Sequence, residues 1–394
     1  MQKGFSRQII FIVVSMTFVL GFSIDLYTPS FPAIASSLKT TNQLVQLTIP
    51  TYFLGYVIGM ILLGPISDAL GRKKPLLFGL AFYCIMSFLC SFSTSIYMLL
   101  LLRLLQGIGV AAVGVMCRAI LGDVFTGKRL ATAMSYFSMS YRIGPIIAPL
   151  IGGYLEVYFG WPSNFYFLML YSALILCIIA FFLPETHREL LPFHPKTIFH
   201  KYISCFKDRA FFGGALCIGI LYSMMIIFNV VGPFFIQDIL NYSPISYGHI
   251  AFFMGVFAFL GILTNRFFIH TRAPQKMISI GMYILVILGF LQVLFAFLFP
   301  VNLYSFVVPV IAVLFFSGFI VSNIMSHIID IIPRGKGTAS ALVGIILISC
   351  TGILTALASF LKSDTVIPFA FAYLAMLLSC FLSYKFLFKS SSQA

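Results

Sequence analysis

Long apolar runs following one another from end to end constrain this chain more than any other feature. Bounded by Gly, Pro, Asn or charge, they predict helices at 8–34, 42–69, 75–94, 96–121, 131–158 and 163–184. A second set follows at 210–238, 244–270, 275–298, 303–330, 336–360 and 366–389. About 20 apolar residues cross a bilayer as a helix, and each of the twelve runs is long enough. Inside hydrocarbon every backbone donor and acceptor must be satisfied within the segment, so such runs are helices. Several exceed a perpendicular crossing, which implies tilt or kinks.

Composition excludes the soluble alternative. Of 394 residues, 61% are hydrophobic and 9% charged, against roughly 45–50% and about 25% in soluble domains. The net charge of +14 does not point to nucleic acid, because the basic residues form no continuous stripe. They sit in short loops, where they act as topological signals. Eight scattered cysteines without a CxxC pair, and histidines without ligand spacing beside them, argue against a disulfide framework or a zinc site. Lys3 and Arg7 precede a run too long for a signal-peptide core, so an uncleaved first span is expected.

The loops sort by charge. Arg72, Lys73, Lys74, Lys128, Arg129, Arg272, Lys276, Arg334 and Lys336 fall on one side, with Lys3, Arg7, Lys385 and Lys389 of the termini. The alternate loops hold Lys39 and Lys362. Both termini are therefore expected in the cytoplasm, as an even number of spans requires. One long basic connection, 185–209, carries Arg188, Lys196, Lys201, Lys207 and Arg209 with Pro192 and Pro195. It divides the chain into an N-terminal six-helix bundle (1–184), a cytoplasmic linker (185–209) and a C-terminal six-helix bundle (210–394). The halves echo each other at about 200 residues: Ala131-Thr132-Ala133 and Ala339-Ser340-Ala341, Pro29 and Pro233, Gly64/Asp68 and Gly261/Asn265. Their shared order supports a duplicated, pseudo-symmetric arrangement.

Charge inside the spans carries the chemistry. Asp25 lies roughly 26 Å along helix one from its cytoplasmic end, and Arg103 roughly 27 Å along helix four. Equal depth makes a pair possible. A lone charge there is costly, so such residues face a cavity or find partners. A carboxylate balanced between burial and a neighbouring cation can load and release a proton; a static helix–helix ion pair is the plainer alternative. Arg142, in helix five, is placed to bind an anionic substrate, to add a second positive partner for Asp25, or to snorkel within a cavity. Tyr27, Tyr52, Tyr56 and Tyr141 are candidates for gripping an amphipathic substrate. His327, Asp330, His249 and His270 read as boundary residues.

The strongest local pattern is Gly64-Pro-Ile-Ser-Asp68-Ala-Leu-Gly71-Arg72-Lys73-Lys74. Glycines allow a tight turn and close helix approach, and Asp68 and Arg72 are placed for a switchable ionic latch. A topogenic basic loop alone would need neither the aspartate nor the glycine spacing. Gly144-Pro145 and Pro149 interrupt backbone hydrogen bonding in helix five, which predicts a bend.

The Gly64–Lys74 run resembles the G-x-x-x-D-x-x-G-R-K signature of the major facilitator superfamily. Leu102-Arg-Leu-Leu-Gln-Gly-Ile-Gly109 is similar to its fourth-helix motif, and Gly144-Pro-Ile-Ile-Ala-Pro-Leu-Ile-Gly-Gly153 to its fifth-helix antiporter motif. Asp25-Leu-Tyr-Thr-Pro-Ser-Phe-Pro-Ala-Ile34 and Arg118-Ala-Ile-Leu-Gly-Asp123 resemble the bicyclomycin/chloramphenicol resistance (Bcr/CflA) group of drug:proton antiporters. The likeness is dense in the N-terminal half and diffuse in the other.

The resemblance implies an all-α membrane protein of twelve transmembrane helices in two six-helix bundles that alternate access to a central substrate. It also implies that Asp123 pairs with Arg72. The expected roles are then proton coupling by Asp25 and Arg103, and substrate binding by Arg142, Tyr27, Tyr52, Tyr56 and Tyr141. Gating falls to Gly64, Asp68, Gly71, Arg72, Asp123, Gly144 and Pro145. No GxxxxGK[ST] occurs, so an ion gradient is the expected energy source and no cofactor or metal is expected. The partners are a small-molecule substrate, protons and the lipid bilayer, with the chain a monomer in the cell inner membrane. Import or export of a specific metabolite or siderophore on the same scaffold is the alternative. A membrane-embedded enzyme would want clustered polar residues at one face, and a sensor would not need the latch.

Overall fold

Proline and glycine decide where the apolar runs stop being regular helix. The computed structural model describes residues 3–187, 208–268, 274–331 and 336–389. Arg188, Lys196, Lys201, Cys205, Lys207, His270, Arg272 and Arg334 lie outside the described residues, as do the side chains of Lys3, Asp330, Lys336 and Lys389.

The first run becomes α1 (Lys3–Asp25), a 3-10 turn (Thr28–Ser30) and α2 (Phe31–Ser37). Pro29 and Pro32 supply no backbone N–H, and the Thr28 hydroxyl donates to the Asp25 carbonyl at 2.9 Å. Expected as one helix over 8–34, it is therefore broken just after Asp25. There follow α3 (Asn42–Gln46), α4 (Thr48–Leu70), α5 (Lys73–Cys90), α6 (Ile96–Val124), α7 (Gly127–Phe159) and α8 (Pro162–Phe182). Next come α9 (Arg209–Phe234), a π segment (Phe235–Ile239), α10 (Pro244–Phe268), α11 (Pro274–Leu298) and α12 (Leu303–Ile331). The chain closes with α13 (Lys336–Ala358), α14 (Val366–Ser383) and a second π segment (Tyr384–Lys389).

Among the described residues, ten helices are long and apolar enough to cross a membrane, so the chain is a multi-pass membrane protein. The expected spans at 131–158 and 336–360 coincide with α7 and α13, which are not among the ten. In α7 the reason is visible: its 33 residues include Lys128, Arg129, Arg142 and Glu156.

The chain divides into two compact units, Met1–Pro195 with Pro244–Gly248, and Lys196–Ser243 with His249–Ala394. In the first, α4 and α6 press backbone to backbone. A Cβ on Gly107 would lie 2.1 Å from the Tyr52 carbonyl oxygen, and one on Gly55 would lie 2.0 Å from that of Leu104. Without a hydrophobic drive between helices in lipid, such small-residue contacts are what hold a pair together. The interior of the second unit is buried on α9, with Ser223 bonded to Thr351 at 3.2 Å and Asn323 donating to Asn265 at 3.0 Å.

Candidate functional site

Arg103 sits at the centre of the first unit. Its helix α6 starts at Ser95, whose side chain accepts the Met98 N–H. Two turns on, the guanidinium is 0% exposed. Nη1 donates to Gln106 Oε1 at 2.5 Å, and Nη2 to the Ser23 carbonyl of α1 at 3.0 Å. The charge lies 4.4 Å from the ring centroids of both Tyr27 and Tyr52, a cation–π contact on two sides. Gln106 passes the network to Ser87 on α5 at 2.7 Å, while Ser23 meets Tyr83 at 2.6 Å and Tyr27 meets Thr48 at 2.8 Å. Four helices thus share one buried cation whose partners named above are neutral.

Asp25 is 1% exposed and ends α1, two residues beyond the carbonyl that Arg103 grips. The structure therefore brings Arg103 against the stretch of α1 that carries Asp25. Tyr27 and Tyr52 are fully buried beside Arg103. Tyr56 lies 6.3 Å from Tyr52, centroid to centroid, with Tyr141 and Arg118 within its electrostatic reach. Tyr141 is half-buried and stacks on Phe137 at 6.1 Å; Arg118 lies 5.7 Å from the same ring. Arg142 is exposed. Arg118 received no role from the sequence, yet its charge in an otherwise apolar stretch of α6 was the available signal.

At one end of the unit, Arg72 gathers the latch residues. Its Nη1 reaches Asp68 at 2.5 Å and Ser67 at 2.8 Å, and its Nε reaches Asp123 at 2.9 Å. Burial works against this charge, but the hydrogen bonds and nearby charge of Asp123 and Asp68 outweigh it and raise the Arg72 pKa. Gly71 has φ +86°, a left-handed turn that favours glycine and aims Arg72 inward. Gly64 has open space about it. Gly144 packs on Gly21, and α7 runs as one helix through Pro145 and Pro149.

Glu185 is the member that sequence reasoning missed. Its carboxylate accepts the backbone N–H groups of Arg72 at 2.8 Å and Lys73 at 3.1 Å, capping α5 from across the unit. It also takes those of Thr186 and His187, at 2.9 and 3.0 Å. Its own burial favours the neutral acid, but these four donors prevail and hold the carboxyl below its ordinary pKa. His187 stands 3.8 Å from Asp123. Backbone donors carry no side-chain signature, so nothing in the residue pattern singled Glu185 out.

The sequence model of the Major Facilitator Superfamily matches residues 13–356. The chain belongs to the Major Facilitator Superfamily. Among its relatives, a bicyclomycin resistance protein homolog of Haemophilus influenzae is 28% identical over 93% of this chain and 92% of its own. Multidrug resistance protein D of Escherichia coli is 26% identical over 92% and 91%. The MFS-type transporter YdgK of Bacillus subtilis is 35% identical, across 61% of each chain.

Solved Major Facilitator folds superpose along nearly the whole length. A D-xylose–proton symporter gives a TM-score of 0.76 at 14% identity, covering 97% of this chain and 98% of its own. An inward-facing, occupied bacterial homolog of the human lysosomal transporter Spinster gives 0.73 at 15%, covering 100% and 98%. At such identities the likeness speaks for the fold alone. As a member of the superfamily the protein is a transporter of small molecules, not an enzyme, and its relatives bear out the resemblance to the Bcr/CflA group.

Proposed function

We propose that this transporter exports small amphipathic compounds in exchange for protons by alternating access. In this reading twelve spans form two six-helix halves in the cell inner membrane, both termini are cytoplasmic, and a single chain suffices. One observation carries it: a buried carboxyl, Asp25, stands at the break of the first helix, two residues from the carbonyl that holds a buried arginine. An ionisable group at that depth is expensive unless it works. Arg103 is anchored by Gln106, Ser23 and two tyrosine rings, so its charge stays put whether Asp25 is loaded or empty. A fixed cation beside a titrating anion lets proton occupancy change the net charge of the site, and that change biases one conformation over another.

The names of the bicyclomycin- and multidrug-resistance relatives support drug-like cargo. Tyr56, Tyr141 and Arg142 supply the aromatic and cationic surface it would meet, with Arg118 beside them, while Tyr27 and Tyr52 serve the site through Arg103. The Arg72 cluster, with Gly144 and Pro145 on α7, forms the moving parts.

The test is transport in proteoliposomes with an imposed pH gradient, using cationic, neutral and anionic amphipathic compounds. Wild type concentrates at least one compound against its gradient, with the direction fixed by the proton gradient. Asp25→Asn loses this concentrative step while still exchanging labelled for unlabelled compound. Full gradient-driven transport by Asp25→Asn would overturn the assignment.

A further inference from the structure

Among the described residues of the first unit, Glu156 is the acidic side chain that belongs neither to α1 nor to the Arg72 cluster. It sits in the last turn of α7, the negative end of the helix macrodipole, where a carboxylate is unfavourable. No cation is bonded to it among the described ion pairs. Its Oε2 is buried and accepts no hydrogen bond.

One neighbour, Asn164, shares that condition. The Ser30 hydroxyl, at the break of helix one, faces the carboxylate. Asn164, 0% exposed near the start of α8, donates Nδ2 to that hydroxyl at 2.8 Å and leaves its Oδ1 without a partner. The close approach of α7 at Gly152 brings the helix-one break into the same spot. A Cβ there would lie 1.7 Å from the Leu26 carbonyl oxygen and 3.2 Å from Asn164 Oδ1. On either side of the Ser30 hydroxyl, Glu156 Oε2 and Asn164 Oδ1 are thus both left unsatisfied.

Buried acceptors left in that state carry an uncompensated desolvation cost. One small cation relieves both. A proton on Oε2 turns that atom into a donor for an acceptor such as Asn164 Oδ1. A sodium ion, being hard, is held by the carboxylate, amide, hydroxyl and carbonyl oxygens together. We propose that Glu156, Asn164 and Ser30 form a site for a small monovalent cation, a proton or a sodium ion, separate from Asp25. It goes beyond the export reading and stands whether or not Asp25 couples transport.

The test is difference infrared spectroscopy of the full chain in nanodiscs, wild type minus Glu156→Gln, from acidic to alkaline pH, with sodium or choline as the salt cation. A proton occupant gives a protonated-carboxyl stretch that persists at neutral pH, is lost in Glu156→Gln, retained in Asp25→Asn and indifferent to sodium. A sodium occupant abolishes the stretch on sodium addition and raises the melting temperature of wild type but not of Glu156→Gln. Both results support the site. A Glu156 carboxylate already ionised at neutral pH, with melting indifferent to sodium, overturns it. Should Glu156→Gln fail to fold, Asn164→Ala keeps the carboxyl and removes its neighbour. An unshifted carboxyl stretch in Asn164→Ala, with no change in pH midpoint or sodium response, equally overturns the proposal.

Discussion

Replacing Glu185 by alanine isolates a helix cap that acts through space. The carboxylate holds the first two N–H groups of the α5 region, Arg72 at 2.8 Å and Lys73 at 3.1 Å. Loss of a cap costs about 1 kcal/mol, within a range of roughly 0.5–2. A negative charge at a helix N-terminus adds about 0.3–1 kcal/mol. Glu185 is exposed, so solvent screens most of that second contribution, and about 1 kcal/mol is the working figure. That corresponds to about five-fold more frequent opening of the two amides. Hydrogen exchange read at Arg72 and Lys73 is the assay, with amides in the middle of α6 as the unchanged control.

The pH dependence has a definite sign. Because the folded-state pKa of Glu185 is lowered, its contribution is complete above the ordinary carboxylate pKa. It disappears as pH falls through the lower folded-state value. The difference between wild type and Glu185→Ala therefore holds through neutral pH and closes in acid. Equal exchange of the two proteins at neutral pH, or a difference that widens on acidification, would refute the reasoning.

Other substitutions test the packing and the buried charges. Gly107→Ala drives a methyl onto the Tyr52 carbonyl and should destabilise by about 1–3 kcal/mol or more; an unchanged melting temperature in detergent would contradict the contact. Arg103→Lys keeps the charge but cannot reach Gln106 and Ser23 together, so a loss of about 2–4 kcal/mol is expected from chemical unfolding in mixed micelles. Asp123→Asn and Asp68→Asn each remove one of the two anions that pair with the Arg72 guanidinium, whose side chains are 19% and 43% exposed. The first should cost about 1–2 kcal/mol and the second about 0.5, so an equal fall in melting temperature would sink the burial argument.

Much of the site could be read one residue at a time because its determinants are local. Asp68 and Arg72 are four apart on one turn and meet as spacing demands, and Gly71 supplies the turn that only local sequence encodes. Ten of the twelve expected spans were legible for a related reason: hydrocarbon imposes length and apolarity on each helix separately, so α6 appears at Ile96–Val124 where 96–121 was expected. The break after Asp25 was missed because a run of apolar residues looks the same whether or not Pro29 and Pro32 interrupt its hydrogen bonding.

Sequence by itself marked out the long apolar segments and how far Asp25 and Arg103 lie along their helices, since both follow from counting residues. Depth says nothing about rotation around the helix axis. Tertiary packing alone turned Arg103 toward the Ser23 carbonyl and between Tyr27 and Tyr52, set Glu185 on the amides of Arg72 and Lys73, and drew Glu156 and Asn164 around Ser30. Each of those contacts joins groups far apart in the chain, several through backbone atoms common to every residue, and only the folded bundle decides which of them meet.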